Sequence, residues 1–102
     1  MIIERKKNCR ELCSNLVAEW DRFKNELVGL SKYKHPFIIV CENYSYTWLY
    51  EQGLTRVHPH LIVKRLAEIQ LDYKIPVLFF DSKGTAERFV FQTFVEVTRR
   101  SE

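Results

Sequence analysis

Glycine is scarce in this chain, at 3 of 102 residues, and no two of the three stand close together. That excludes a glycine-rich phosphate loop, which needs closely spaced glycines to let backbone amides wrap a phosphate, so no nucleotide triphosphate is expected as a partner. Cysteine is equally sparse. Cys9, Cys13 and Cys41 form no C-x-x-C pair, so a structural zinc site is not expected, and three free thiols suit a reducing compartment. His35, His58 and His60 share no spacing that one helix or strand would turn into a metal cluster. Long apolar runs are missing as well: Met1-Ile2-Ile3 passes straight into charge, so neither a signal peptide nor a membrane span is expected. The chain is expected to be cytoplasmic if its source is bacterial or phage, and nuclear if it is eukaryotic. The formal charge of +3 is too small to demand a polyanion partner, although it permits one.

What is present is a real core. Apolar residues make up 46% of the chain and aromatics 14%, which argues against disorder and, at this length, for a single domain spanning residues 1–102. Ile2 to Arg5 reads as a short strand. Asn8 followed by Glu11 is a capping arrangement, the Asn side chain accepting a backbone amide while Glu11 reaches back to the cap. Leu12, Leu16, Trp20, Phe23, Leu27 and Leu30 recur at three- and four-residue steps and predict one long amphipathic helix from about Cys9 to Ser31. Its stripe either covers the sheet or serves a partner.

His35-Pro36 breaks the chain before Phe37-Ile38-Ile39-Val40-Cys41, a continuous apolar run of the kind found in a parallel strand covered on both faces. Asn43 to Ser45 predicts a turn into a short helix over Tyr46 to Gln52, which Gly53 ends. Thr55 to Pro59 then launches a helix over His60 to Tyr73 with Ile62, Leu66, Ile69 and Tyr73 on one face. Ile75-Pro76 leads into a third strand, Val77 to Phe80. Asp81 or Ser82 caps a last helix whose buried stripe is predicted as Ala86, Phe89, Val90, Phe94 and Val97. The order β-α-β-α-α-β-α predicts a three-layer α/β sandwich with a mostly parallel sheet. Three strands leave an open edge. That edge, the aromatic stripe of the first helix and the phenylalanines of the last helix predict homodimerisation. The last helix is the expected contact, because Phe89 and Phe91 cannot both face the sheet.

Chemistry concentrates at the start of the chain. A strand has period two, so Glu4 and Lys6 leave one face while Ile3 and Arg5 leave the other. Carboxylate oxygen is the hard ligand that magnesium or manganese takes, and a neighbouring ammonium can orient water or offset charge on a phosphate. Glu11 is open to two readings, a distant carboxylate for the same site or a capping residue. Glu42, just past the end of an apolar strand, lies where open α/β sheets place their sites. Asp81 occupies the equivalent place after the last strand and reads first as a cap. Cys9 and Cys13, four apart on a helix, fit core packing as well as catalysis. For nucleic acid the candidates are Lys7, Arg10, Arg22, Arg56 and His58. Arg56 lies just before Pro59 and a helix N-terminus, where amides can also meet phosphate. Arg99-Arg100 reads as a tail that complements the helix dipole.

The run Ile3-Glu4-Arg5-Lys6-Lys7-Asn8-Cys9-Arg10-Glu11-Leu12 resembles the hallmark of the XPF-type structure-specific endonuclease family: a hydrophobic residue, then Glu-Arg-Lys, then an Asp a few residues later. The stand-alone bacterial and phage members are the most similar. The likeness continues through Asp21-Arg22-Phe23-Lys24-Asn25-Glu26, the strand ending at Glu42, and Tyr73-Lys74-Ile75-Pro76. There are two departures. The family's upstream Gly-Asp strand is expected to lie outside this sequence, and Arg10 stands where the later Asp belongs. The resemblance implies a restriction-endonuclease-like fold with a reduced sheet, phosphodiester hydrolysis in branched or junction DNA, dependence on Mg2+ or Mn2+, and homodimerisation. It implies Glu4 as metal ligand and catalytic residue and Lys6 as its catalytic partner, with Arg5, the middle residue of the motif, in support; Glu11 and Glu42 join the expected supporting residues on their positions alone. The other expectation is a catalytically silent module of the same fold that binds DNA or dimerises.

Overall fold

The structure is a computed structural model and describes residues 1–44 and 59–101. Three parallel strands, β1 (Ile2–Lys6), β2 (Pro36–Val40) and β3 (Val77–Phe79), form a sheet in the order β1-β2-β3. Helices α1 (Cys9–Leu16), α2 (Trp20–Ser31), α3 (Pro59–Tyr73) and α4 (Lys83–Arg100) surround it. The predicted α/β class and parallel sheet are therefore observed. The predicted helix over Tyr46 to Gln52 lies outside the described residues. Among those described, no helix is long and apolar enough to cross a membrane.

The alternation of β2 sorts the two faces. Ile38 and Val40 enter a core with α1, α2 and α3 that holds Cys9, Leu12, Leu16, Phe23, Leu27, Ile62 and Ile69. Phe37 and Ile39 face the other way, into a smaller cluster with Ala86 and Val90 of α4. Both faces of β2 are thus covered, which is why its run is apolar without interruption. Glu4 pairs in register with Ile38 and Lys6 with Val40, so the acid and the amine lie on the face covered by α1, α2 and α3.

Two expectations about helices are corrected. The stretch predicted as one helix is two, broken over residues 17–19. There the Glu19 amide donates to the Ser14 carbonyl five residues back, and the Ser14 hydroxyl lies 3.0 Å from Glu19 Oε1. This widened turn holds Trp20 and Phe23 on the face that Leu12 and Leu16 bury, so the apolar periodicity runs through the break and hides it. The last helix does not bury the stripe predicted for it. Ala86 is fully buried, whereas Phe89 and Phe94 are 38% and 57% exposed. Eighteen helical residues extend about 27 Å, while a five-residue strand covers only about 17 Å. The helix is therefore about 10 Å longer than the strand beside it, and only Ala86 of the predicted stripe is fully enclosed.

Caps are legible but differ in detail. Asn8 Oδ1 accepts the Glu11 amide at 2.9 Å, as expected. Glu11 reaches back past the cap, its Oε2 accepting the Lys7 amide at 3.2 Å. At α4 the cap is Ser82, whose hydroxyl accepts the Thr85 amide at 3.2 Å, and Asp81 remains exposed.

Candidate active site

Lys6 is the one buried lysine among the described residues, 4% exposed. A charge leaves water at a cost of several kcal/mol unless it is paired, and Lys6 has two compensations. Its Nζ lies 3.1 Å from Glu4 Oε1 and 4.9 Å from the centroid of the Phe23 ring. The period-two strand supplies the first contact, since Glu4 and Lys6 are neighbours on one face. The second comes from α2, which lays Phe23 across that face. A cation over an aromatic ring at a desolvated position contributes on the order of 2 kcal/mol. The Glu4 side chain is 37% exposed, so its carboxylate meets both the buried ammonium and solvent.

Arg5 lies on the opposite face, exposed, beside Met1, Ile3, Ile39 and the α4 residues Glu87, Val90, Phe91 and Phe94. No acid among the described residues lies within ion-pair distance of Arg5. Its one acidic neighbour across the groove, Glu87, pairs with Lys83 along α4 at 3.7 Å.

The supporting carboxylates sit elsewhere. Glu42 Oε1 accepts the backbone amide of Cys9 at 2.9 Å, at the N-terminus of α1. Glu42 lies four residues beyond Ile38, the register partner of Glu4, a separation along the strand direction of about 13 Å. Glu11 is occupied with the Lys7 amide. Of the expected DNA contacts, Lys7 and Arg10 are exposed and flank the C-terminal end of β1, close in sequence to Lys6. Arg22 is paired with Glu19 at the helix break and does not join them. Arg56 and His58 lie outside the described residues. Phe23 was read from sequence only as part of a core stripe. Nothing in that periodicity marks which stripe residue touches the motif, because the contact is made between elements.

Two thiols are buried in this corner. Cys9 Sγ lies 3.9 Å from the Glu42 carbonyl oxygen and 3.8 Å from that of Asn43. Burial, then the hydrogen bond and negative charge of Glu42, push its pKa up to about 12. Burial also raises that of Cys13. Thiolates are the reactive form, so both are core residues and not nucleophiles at neutral pH.

The fit of a divalent ion can be judged from the donors. Among the described residues no three His, Cys, Asp or Glu side chains converge on one point, so an all-protein cage is not formed. Magnesium commonly keeps several waters and takes one or two carboxylates together with substrate phosphate. The half-exposed Glu4 carboxylate fits that weaker mode. Glu42 and Glu11 are each held at a backbone amide and form no ligand cluster with Glu4 among the described residues.

Residues 1–92 match the ERCC4 domain, the nuclease-type domain of the XPF family, whose members act on DNA structures and are generally dependent on a divalent metal. A search of curated proteins found no match. The match takes in the Glu-Arg-Lys strand, the helices packed over it and the parallel sheet, and by it the chain belongs to the ERCC4 domain family of XPF-type nucleases.

Proposed function

We propose that the chain is a magnesium- or manganese-dependent endonuclease domain that hydrolyses phosphodiester bonds in branched or junction DNA. The observation that carries this reading is the pairing of Glu4 with a buried Lys6 on the helix-covered face of β1. A lysine is rarely placed there for stability alone, since an apolar residue would fill the site without a desolvation cost.

Glu4 is the residue that would hold the ion, which when bound polarises a phosphoryl oxygen and acidifies water. Lys6 supplies a fixed positive charge beside that carboxylate, offsetting negative charge that develops on the phosphate. Lys7 and Arg10, exposed where β1 passes into α1, are the side chains best placed to take the DNA backbone. Arg5 leaves the other face, so its support for the pair is indirect.

Homodimerisation belongs to the same proposal. Phe91 and Phe94 are 68% and 57% exposed and border an apolar groove that includes Met1, Ile3, Ile39 and Val90. Such a patch on a small domain favours burial against a partner. A second reading, a catalytically silent DNA-binding or dimerisation module, is favoured by one observation: Glu11 and Glu42 each accept a backbone amide at the start of α1.

The test is cleavage of fork and flap DNA with magnesium and with manganese by the chain, Glu4→Ala and Lys6→Ala. Metal-dependent cleavage lost in both variants supports the nuclease. DNA binding without cleavage in either metal, insensitive to Glu4→Ala, supports the silent module instead.

A further inference from the structure

The geometry points to Phe23 as the positioning residue of the Glu-Arg-Lys motif: its ring face, and not the Glu4 carboxylate alone, fixes where the Lys6 ammonium sits. This rests on the reading of Glu4 and Lys6 as the catalytic pair. The two anchors of Lys6 differ in kind. Glu4 Oε1, at 3.1 Å, belongs to a side chain that is 37% exposed and open to engagement from solvent. The Phe23 ring, 4.9 Å from Nζ, belongs to a residue that is 1% exposed and walled in by the main core.

An ammonium has three donors, and a carboxylate oxygen at one of them does not by itself hold a flexible four-carbon side chain in one place. The electron-rich ring face attracts the cation without taking a hydrogen bond from it, so donors remain available to a phosphate. When the Glu4 carboxylate turns to another cation, a lysine held by Glu4 alone loses its place. One held over a buried ring does not.

The ring is itself braced. Trp20 lies 6.5 Å away at 51°, and the guanidinium of Arg65 from α3 sits 4.5 Å over the Trp20 ring. Cation, ring, ring and cation thus run from β1 through α2 to α3. A leucine at position 23 would satisfy the core stripe and fill most of the volume, but it has no face for a cation.

The test is NMR of lysine side chains in the full chain without nucleic acid. Ring currents move the Lys6 ε-methylene protons upfield of ordinary lysines. Wild type and Glu4→Gln are expected to share that displaced signal. Phe23→Leu is expected to return it to the ordinary position and Phe23→Tyr to restore it. Leu27→Ala, which opens the same core but leaves the aromatic ring in place, keeps it and separates loss of packing from loss of the aromatic face. Should Phe23→Leu fail to fold, Glu4→Gln and Phe23→Tyr still decide.

On fork DNA, Phe23→Leu is expected to lower kcat by about tenfold or more with KM little changed, as a misplaced catalytic group does, and Phe23→Tyr to recover it. A displaced signal lost in Glu4→Gln, or kept in Phe23→Leu, overturns the inference, as does an unchanged kcat in Phe23→Leu. A wild type that cleaves nothing removes the nuclease reading, while the NMR pattern decides separately whether the ring holds Lys6.

Discussion

The Glu42 carboxylate accepts the Cys9 amide at 2.9 Å, tying the end of β2 to the first turn of α1 across 33 positions of sequence. A carboxylate at a helix N-terminus satisfies an otherwise unpaired donor and meets the positive end of the helix dipole. Glu42→Ala is therefore expected to cost about 1 kcal/mol of stability in urea unfolding. It is expected to leave divalent-ion binding unchanged in calorimetry. A loss of ion affinity without a loss of stability would return Glu42 to the site.

Ion binding itself is expected to be weak. One half-exposed carboxylate predicts a dissociation constant for manganese above about 0.1 mM, abolished by Glu4→Gln. Titration calorimetry checks both statements, and tight binding unaffected by Glu4→Gln would remove the site.

The buried thiol makes stability fall at high pH. Cys9 has a folded pKa of about 12 against an ordinary 9.0, so the native state keeps a proton that the unfolded chain loses. The stabilisation is complete below pH 9.0 and is lost as pH rises towards the folded value, with a limiting slope of about 1.4 kcal/mol per pH unit from this group. Cys9→Ala is expected to flatten the pH dependence of urea midpoints above pH 9.0. An unchanged slope would show that Cys9 ionises alike in both states.

Lys74 sits at φ 58, left-handed backbone at the end of α3, where the Ile75 amide turns back to the Ile69 carbonyl at 3.4 Å. A residue with a Cβ is strained there and glycine is not. Lys74→Gly is expected to stabilise the fold by about 0.5–1 kcal/mol, after the entropy glycine adds to the unfolded chain. Thermal unfolding gives the sign.

Phe91→Asp, on the most exposed aromatic of α4, is expected to shift sedimentation towards the monomer with little change in unfolding. Phe37, whose ring meets Phe89 edge-on at 6.0 Å and whose side chain is buried, provides the contrast: Phe37→Ala is expected to cost about 3 kcal/mol or more. A wild type that sediments as a monomer at micromolar concentration would remove the dimer.

Much of the fold was legible because it rests on local pattern. Period two placed Glu4 and Lys6 together and Arg5 apart; the apolar run of β2 announced burial on both faces; Asn8 capped α1, and Ser82 was one of two caps offered for α4. The break at residues 17–19 was not legible. It is made by hydrogen bonds between Ser14 and Glu19 that leave the apolar stripe in phase, and no proline or glycine marks it.

The candidate site divides along the same line. Sequence alone determined which residues share the face of β1, since alternation is a property of an extended backbone and needs no other element. Tertiary structure decided what each of them meets. Lys6 is buried because α2 lays Phe23 over it, and Glu42 is spent at α1 because parallel pairing brings the end of β2 beside the start of that helix. The α4 aromatics are exposed because α4 seats Ala86 against the sheet and leaves Phe91 and Phe94 along an open groove beside Ile3 and Ile39. Each is a contact between elements distant in the chain, and residue spacing within one element carries no information about the surface that another will bring to it.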